Sequence, residues 1–195
     1  MNIKNAICTL VFAAAAILPG AAWSQLITSS YFGASLGGSD SRDFCENRTT
    51  GSCDKTGTAW RIYSGLGFTR NLGLEIAVVD LGQFTHTTAT TTTKLETMLS
   101  EAVAVFTYPA QRVSIFGKVG GFYGGTKASV QTAAGTTNGR ETSAGLTYGA
   151  GAKIDISSRF ALRGDWQHYS KVGGTDTGGE VDVNVFMLGL EWKFR

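Results

Sequence analysis

The final stretch of the chain, residues 181–194 with sequence VDVNVFMLGLEWKF, leaves few folds open. Read back from Phe194, every second residue is large and apolar: Trp192, Leu190, Leu188 and Phe186. Between them stand Lys193, Glu191, Gly189 and Met187. A period of two is a strand with two unlike faces. A soluble sheet turns its apolar face to a core, but here the other face carries a Lys and a Glu and the apolar face ends in aromatics. That pattern fits lipid outside and a narrow polar interior. Each unpaired backbone group in lipid costs several kcal/mol, so a lone strand cannot sit there and the rest of the chain must close a barrel around it.

Composition agrees. The 195 residues suffice for one domain and a leader, and they include 26 Gly but only two Pro. Hydrophobic residues make up 43%, yet no long apolar run follows residue 24. A barrel spreads its hydrophobicity over alternate positions in this way. The net charge of +2 gives no reason to expect a nucleic-acid partner.

Residues 1–24 read as a signal peptide. Lys4 precedes an apolar run at 6–18, too short to span a bilayer as a helix; Pro19-Gly20 breaks it, and Ala22 and Ser24 place small residues before a cut after Ser24. Residues 25–195 are then the barrel domain. Cys8 lies early in the apolar run, so no lipoprotein box is read. Export leaves Cys45 and Cys53 in an oxidising compartment, where a disulfide is expected, worth about 2–3 kcal/mol by loop entropy. No CxxC occurs and neither His86 nor His168 is close in sequence, so neither a metal site nor a cofactor is expected.

Alternation places strands at 30–38, 58–68, 72–84, 95–108, 113–125, 141–156, 160–170 and 181–194. The links at 39–56, 85–93, 126–139 and 172–180 are long and polar; those at 69–71, 109–112 and 157–159 are short. The fold expected is all-β: an eight-stranded antiparallel up-and-down transmembrane β-barrel, long loops outside and short turns inside. The Thr-rich tract 85–93 is expected to prolong its hairpin beyond the membrane, because β-branched residues favour extended backbone. Aromatic girdles are expected from Phe68, Tyr108, Phe160, Trp192 and Phe194 at the short-turn end, and from Trp60, Phe84, Tyr123 and Phe186 at the other.

The inward parity collects Arg61, Lys118, Lys153, Arg163 and Lys193 against Glu75, Glu101, Asp155, Asp165 and Glu191, as many of one sign as of the other. One reading is a narrow or gated channel. The favoured reading is a paired core, because eight strands leave room only for side chains and buried charges exist mostly to satisfy each other.

These strands resemble those of OmpA-like outer-membrane barrels. Residues 58–82, TAWRIYSGLGFTRNLGLEIAVVDLG, are similar to that family's second and third strands, Tyr108-Pro109 to its turn after strand 4, and 160–194 to its last hairpin. The resemblance covers the whole mature chain. It implies residence in the outer membrane among lipids and lipopolysaccharide, and assembly by the barrel-assembly machinery, which would read Phe186, Leu188, Leu190, Trp192 and Phe194. Arg195 after the final aromatic is a departure. The family's lumen is blocked by an acid–base cluster. Glu75 and Arg163 stand at two of its positions, while Val105 and Lys153 stand where its other base and acid belong, so different pairing is expected. OmpA carries a peptidoglycan-binding domain beyond its barrel; this chain reaches only the eighth strand, so that activity is not expected.

The functional expectation is a non-enzymatic barrel with a structural or surface-interaction role, acting on an unidentified ligand through four outer loops. The sequon Asn47-Arg48-Thr49 carries no weight in a bacterial envelope. Two alternatives differ in class. His168-Tyr169-Ser170 resembles the His-x-Ser of PagL-type lipid A deacylases, with Asp182 or Glu180 as third member, although Lys171 replaces the usual Asn and parity turns the trio toward lipid. A soluble lipocalin-like barrel would need an apolar interior, against which the inward charges argue.

Overall fold

The computed structural model describes residues 27–41, 43–46, 51–174 and 179–194. The expected signal segment, Cys8, the sequon and Arg195 lie outside the described residues. In chain order the elements are β1 (Ser29–Asp40), α1 (Asp43–Glu46), β2 (Ser52–Asp54), β3 (Thr56–Gly67), β4 (Leu72–Thr87), β5 (Thr91–Ala110), β6 (Val113–Thr132), β7 (Gly135–Asp155), β8 (Phe160–Gly174) and β9 (Gly179–Phe194). The eight long strands pair antiparallel with their neighbours, and β1 pairs with β9 from Ser30↔Phe194 to Asp40↔Asn184. That last pairing closes the barrel and removes every long edge. Among the described residues no helix is long and apolar enough to cross a membrane; the chain crosses with strands.

At one end the strands meet in tight turns. Thr69 Oγ1 accepts the N–H groups of Asn71 and Leu72, and Ser157 Oγ accepts those of Arg159 and Phe160. At the other end the hairpins run on. Thr85, His86 and Thr87 pair with Lys94, Thr93 and Thr92, so the Thr-rich tract does prolong its hairpin. The polar stretch 126–139, expected to be a loop, is instead ordered sheet: Thr126 pairs with Glu141 and the ladder continues to Thr132↔Gly135. Its Thr and Val residues favour extended backbone, and Gly135, at φ +141°, takes the turn conformation that other residues rarely adopt.

The outside is apolar, the inverse of a soluble protein. Along β7 the outward residues are Ile154, Ala152, Ala150, Tyr148, Leu146 and Ala144; Leu146 is 70% exposed, as Leu188 on β9 is 68% exposed. At the short-turn rim Trp192 stacks between Phe160 and Phe194, with centroids 6.0 and 5.4 Å away. Tyr123 and Phe186 face outward at the opposite rim. Phe84 does not join them. A β-bulge between Asp80 and Gln83, with Gly82 at φ +81° and its N–H bound to Asp80 Oδ1 at 2.8 Å, reverses the parity of β4. Phe84 therefore turns into the barrel and is 1% exposed. A second bulge, between Tyr169 and Val172 with Lys171 at φ 59°, turns Val172 inward in the same way.

The interior has two storeys. Toward the short turns it is charged. Toward the long loops it is an apolar core of Val79, Leu81, Phe84, Leu99, Phe122 and Val185 with their buried neighbours. Within the charged storey the Tyr63 ring covers Gly33 and the Tyr31 ring covers Gly65, its cross-strand partner. A Cβ at Gly33 would stand 2.3 Å from the Tyr63 ring and one at Gly65 2.1 Å from the Tyr31 ring, so only glycine leaves room for either.

Candidate functional site: an ion-paired interior and the loop over its outer end

Arg163 is the hub of the charged storey. Its Nη1 lies 2.6 Å from Glu75 Oε2 and its Nη2 3.3 Å from Oε1, a two-pronged contact. Its Nε donates to Asp165 Oδ2 at 3.1 Å, and Nη1 is 3.5 Å from Glu191 Oε2. The guanidinium is sandwiched by aromatic rings, 4.6 Å from the Tyr63 centroid and 4.3 Å from that of Phe116. Arg61 reaches the same Asp165 oxygen at 2.7 Å and donates to Gln167 Oε1 at 2.9 Å, with Glu101 3.8 Å away. Lys118 adds a third cation to Asp165 Oδ2 at 3.2 Å. Nearer the short turns, Lys153 meets Glu191 at 3.2 Å and Lys193 pairs with Asp155.

Every inward charge chosen from the sequence thus has a partner of opposite sign. Lys153, which stands where the resemblance places an acid, pairs with Glu191. The side chains of Arg61, Glu75 and Glu101 are wholly buried, where an unpaired charge would be costly.

Uncharged residues complete the network. Gln167 Nε2 donates to Glu101 Oε2 at 2.6 Å and to Thr147 Oγ1 at 2.8 Å; the Tyr169 hydroxyl donates to Glu101 at 2.7 Å and that of Tyr31 to Glu75 at 3.0 Å. The sequence reading left Tyr31, Tyr63, Thr147 and Tyr169 out, although the same inward parity marks each of them. It also left out the apolar storey, whose signal is the shared parity of Val79 with Leu81, and of Val183 with Val185.

At the outer end, the described residues of the loop after β1 pack on the apolar storey. Phe44 of α1 points into the apolar storey, 4% exposed, with its ring 5.9 Å from that of Phe84. Cys45 and Cys53 form the expected disulfide, with Cα atoms 6.0 Å apart, and both pack on that core. β2 adds to the outer end of β4 through Ser52↔Thr87, Cys53↔His86 and Asp54↔Thr85. Ser39 Oγ donates to the Leu81 carbonyl, and Ser41 Oγ to that of Asp182 at 3.1 Å. The loop is thereby tied to strands on both sides of the mouth.

Of the deacylase-like trio, His168 and Asp182 come together, Nε2 to Oδ2 at 3.6 Å. His168 Nδ1 lies 3.1 Å from Asn184 Oδ1, which also accepts from Trp166 Nε1 at 3.2 Å, and the imidazole packs on Tyr148 at 4.9 Å. Ser170 is hydrogen-bonded to neither His168 nor Asp182, because the bulge beside it brings the Lys171 N–H onto Asp182 Oδ1 instead, at 3.0 Å. Glu180 faces Lys171 at 3.9 Å rather than His168.

A closed ring of antiparallel strands, apolar outside and ion-paired within, is a transmembrane barrel of the outer-membrane type. Comparison with known proteins agrees: the model of the outer membrane protein beta-barrel domain matches residues 7–194, and the chain belongs to that family. Its place is the cell outer membrane. No curated protein matches the sequence. Among solved structures it is similar to Ail, the attachment invasion locus protein of Yersinia pestis, at 18% identity over 85% of this chain and 98% of that one, with a TM-score of 0.59. Neisserial surface protein A gives 18% identity over 85% and 97% with a TM-score of 0.58, and OprG of Pseudomonas aeruginosa 13% over 88% and 99% with 0.51. At such identities the likeness is one of fold.

Proposed function

We propose that this is a non-enzymatic surface protein of the outer membrane: a rigid closed barrel that holds outer loops and tall hairpins for contact with a ligand outside the cell. The observation that supports the reading is the packing of the interior. Ion pairs occupy the lower storey, and apolar side chains sealed by Phe44 occupy the upper one, so little is left for a solute path. The parts that project are polar and anchored on rigid strands, where binding function concentrates. Lipopolysaccharide surrounds these hairpins, and the outward face of Phe186, Leu188, Leu190, Trp192 and Phe194 is offered to the assembly machinery. Against a deacylase stands the side chain of Ser170, which has no base bound to it.

Ail was solved in complex with the heparin analogue sucrose octasulfate, which makes a sulfated glycan the first ligand to try. Cells displaying the protein should be retained on immobilised heparin, and cells displaying a variant with residues 88–90 and 133–134 replaced by Gly and Ser should not. Equal retention of the two, or of cells lacking the protein, would overturn binding through the hairpins.

A further inference from the structure

We propose that Lys94, Lys127 and Arg140, on the outer wall of β5–β7, form a docking site for a phosphorylated lipid A headgroup of the outer leaflet. The proposal rests on the reading of the chain as a surface barrel standing among lipopolysaccharide.

Cross-strand register fixes the height of these side chains. On the outward face, Ala104, Val119 and Tyr148 form one row, Ala102, Gly121 and Leu146 the next, and Ser100, Tyr123 and Ala144 the one above. Tyr123, 66% exposed, marks the top of the apolar band. Two rows higher, Gln83, Glu96, Lys127 and Arg140 lie side by side on four successive strands; the row beyond holds Lys94, Ser129 and Asn138. Four residues of strand from Tyr123 to Lys127 span about 13 Å, or about 9 Å along the membrane normal for a strand tilted by about 45°. The polar layer of a bilayer begins at the edge of the apolar band and is roughly 5–7 Å deep, so long basic side chains above Tyr123 reach it by bending down.

Charge carries the inference further. Lys127 and Arg140 are direct cross-strand partners, and like charges in that relation repel. Buried cations of this barrel all have acids; among the described residues Lys94, Lys127 and Arg140 have no ion pair. Glu96 is the single acid in their row, and its Oε1 is engaged by Gln83 Nε2 at 3.0 Å. Three bases against one acid at headgroup height complement a phosphate set between two strands, with Arg140 able to grip two of its oxygens. Directly below the pair, a Cβ on Gly125 would meet nothing nearer than the Glu141 carbonyl at 3.9 Å. That notch lets a headgroup approach the backbone beneath the cations.

The test is native mass spectrometry of the folded protein released from mild detergent, titrated with bisphosphorylated lipid A, dephosphorylated lipid A or phosphatidylglycerol. A basic residue near an anionic surface contributes about fivefold in affinity, so the Lys127→Gln/Arg140→Gln double variant should bind bisphosphorylated lipid A roughly 25-fold more weakly. Each single variant should lose about fivefold and serves if the double variant does not fold. Lys171→Gln, outside the cluster, should change nothing. Equal binding by the double variant, equal binding of dephosphorylated lipid A, or phosphatidylglycerol bound as tightly would overturn the proposal, as would binding of heparin at these cations without binding of lipid A. Each sample is also run on a gel unheated and boiled. Absence of a mobility shift in the unmodified protein would sink the closed-barrel reading; a shift without phosphate discrimination would sink the docking site alone.

Discussion

Replacing Arg163 by Ala removes the hub of the lumen, and the geometry says where the damage falls. Arg163 serves Glu75, Asp165 and Glu191. Without it, Asp165 keeps Arg61 at 2.7 Å and Lys118 at 3.2 Å, and Glu191 keeps Lys153 at 3.2 Å. Glu75 loses both short contacts and retains the Tyr31 hydroxyl and an Arg61 nitrogen 4.0 Å away. The substitution thus leaves one buried carboxylate nearly uncompensated, which costs about 3–5 kcal/mol, toward the lower end if water enters from the short-turn side. Loss of the stacked contacts with Tyr63 and Phe116 adds to it. Glu75→Gln should cost less, about 1–2 kcal/mol, because Arg163 still has Asp165 and Glu191. Combining Arg163→Met with Glu75→Leu should recover much of the loss, since apolar replacement of a whole buried pair is often neutral. Equilibrium unfolding by denaturant in lipid vesicles, followed by tryptophan fluorescence, measures each variant, and Arg163→Met and Glu75→Leu made singly complete the cycle with their double. A cost below about 1 kcal/mol for Arg163→Ala, or no coupling between positions 163 and 75, would refute the reasoning.

Further outcomes follow from the mouth and the outer wall. Alkylation without reductant should leave Cys45 and Cys53 unlabelled, and reduction should lower stability by about 2–3 kcal/mol; two labelled thiols in the unreduced protein would count against the disulfide. Phe44→Ala should destabilise by about 3 kcal/mol through the cavity left against Phe84, and an unchanged unfolding midpoint would mean that the loop does not seal the mouth. Gly65→Val should block closure by displacing the Tyr31 ring, seen as loss of the boiled-versus-unheated mobility difference; an intact shift would contradict the packing. Lipid A incubated with the purified protein should keep all its acyl chains, as with a His168→Ala control; loss of a hydroxyacyl chain with the unmodified protein alone would make it an enzyme.

The strands, their lipid-facing parity and the inward charges were legible because a period of two admits one assignment of faces once the aromatics mark the outside. Parity fails wherever a bulge inserts a residue. Nothing in the run Asp80-Leu81-Gly82-Gln83 distinguishes a bulge from a strand glycine, so Phe84 was placed on the wrong face and the apolar upper storey was missed. The ladder at 126–141 was hidden because the inward face of its first arm, Thr126, Ala128 and Val130, carries only small side chains and its second arm, 135–141, is Gly-rich and polar, so the alternation that reveals the spanning strands is weak. The disulfide needed only export and two nearby thiols. How Arg163 divides itself among three acids depends on distances across the lumen, which no one-dimensional pattern holds.

A barrel whose interior is packed with ion pairs and apolar side chains, and which acts from its outer surface, should pass no current, and electrical recording reads this out. Purified, folded protein inserted into planar bilayers should leave the membrane without stable current steps of porin size. Sustained open currents of that size from the unmodified protein would show a continuous aqueous path through the lumen and contradict the account.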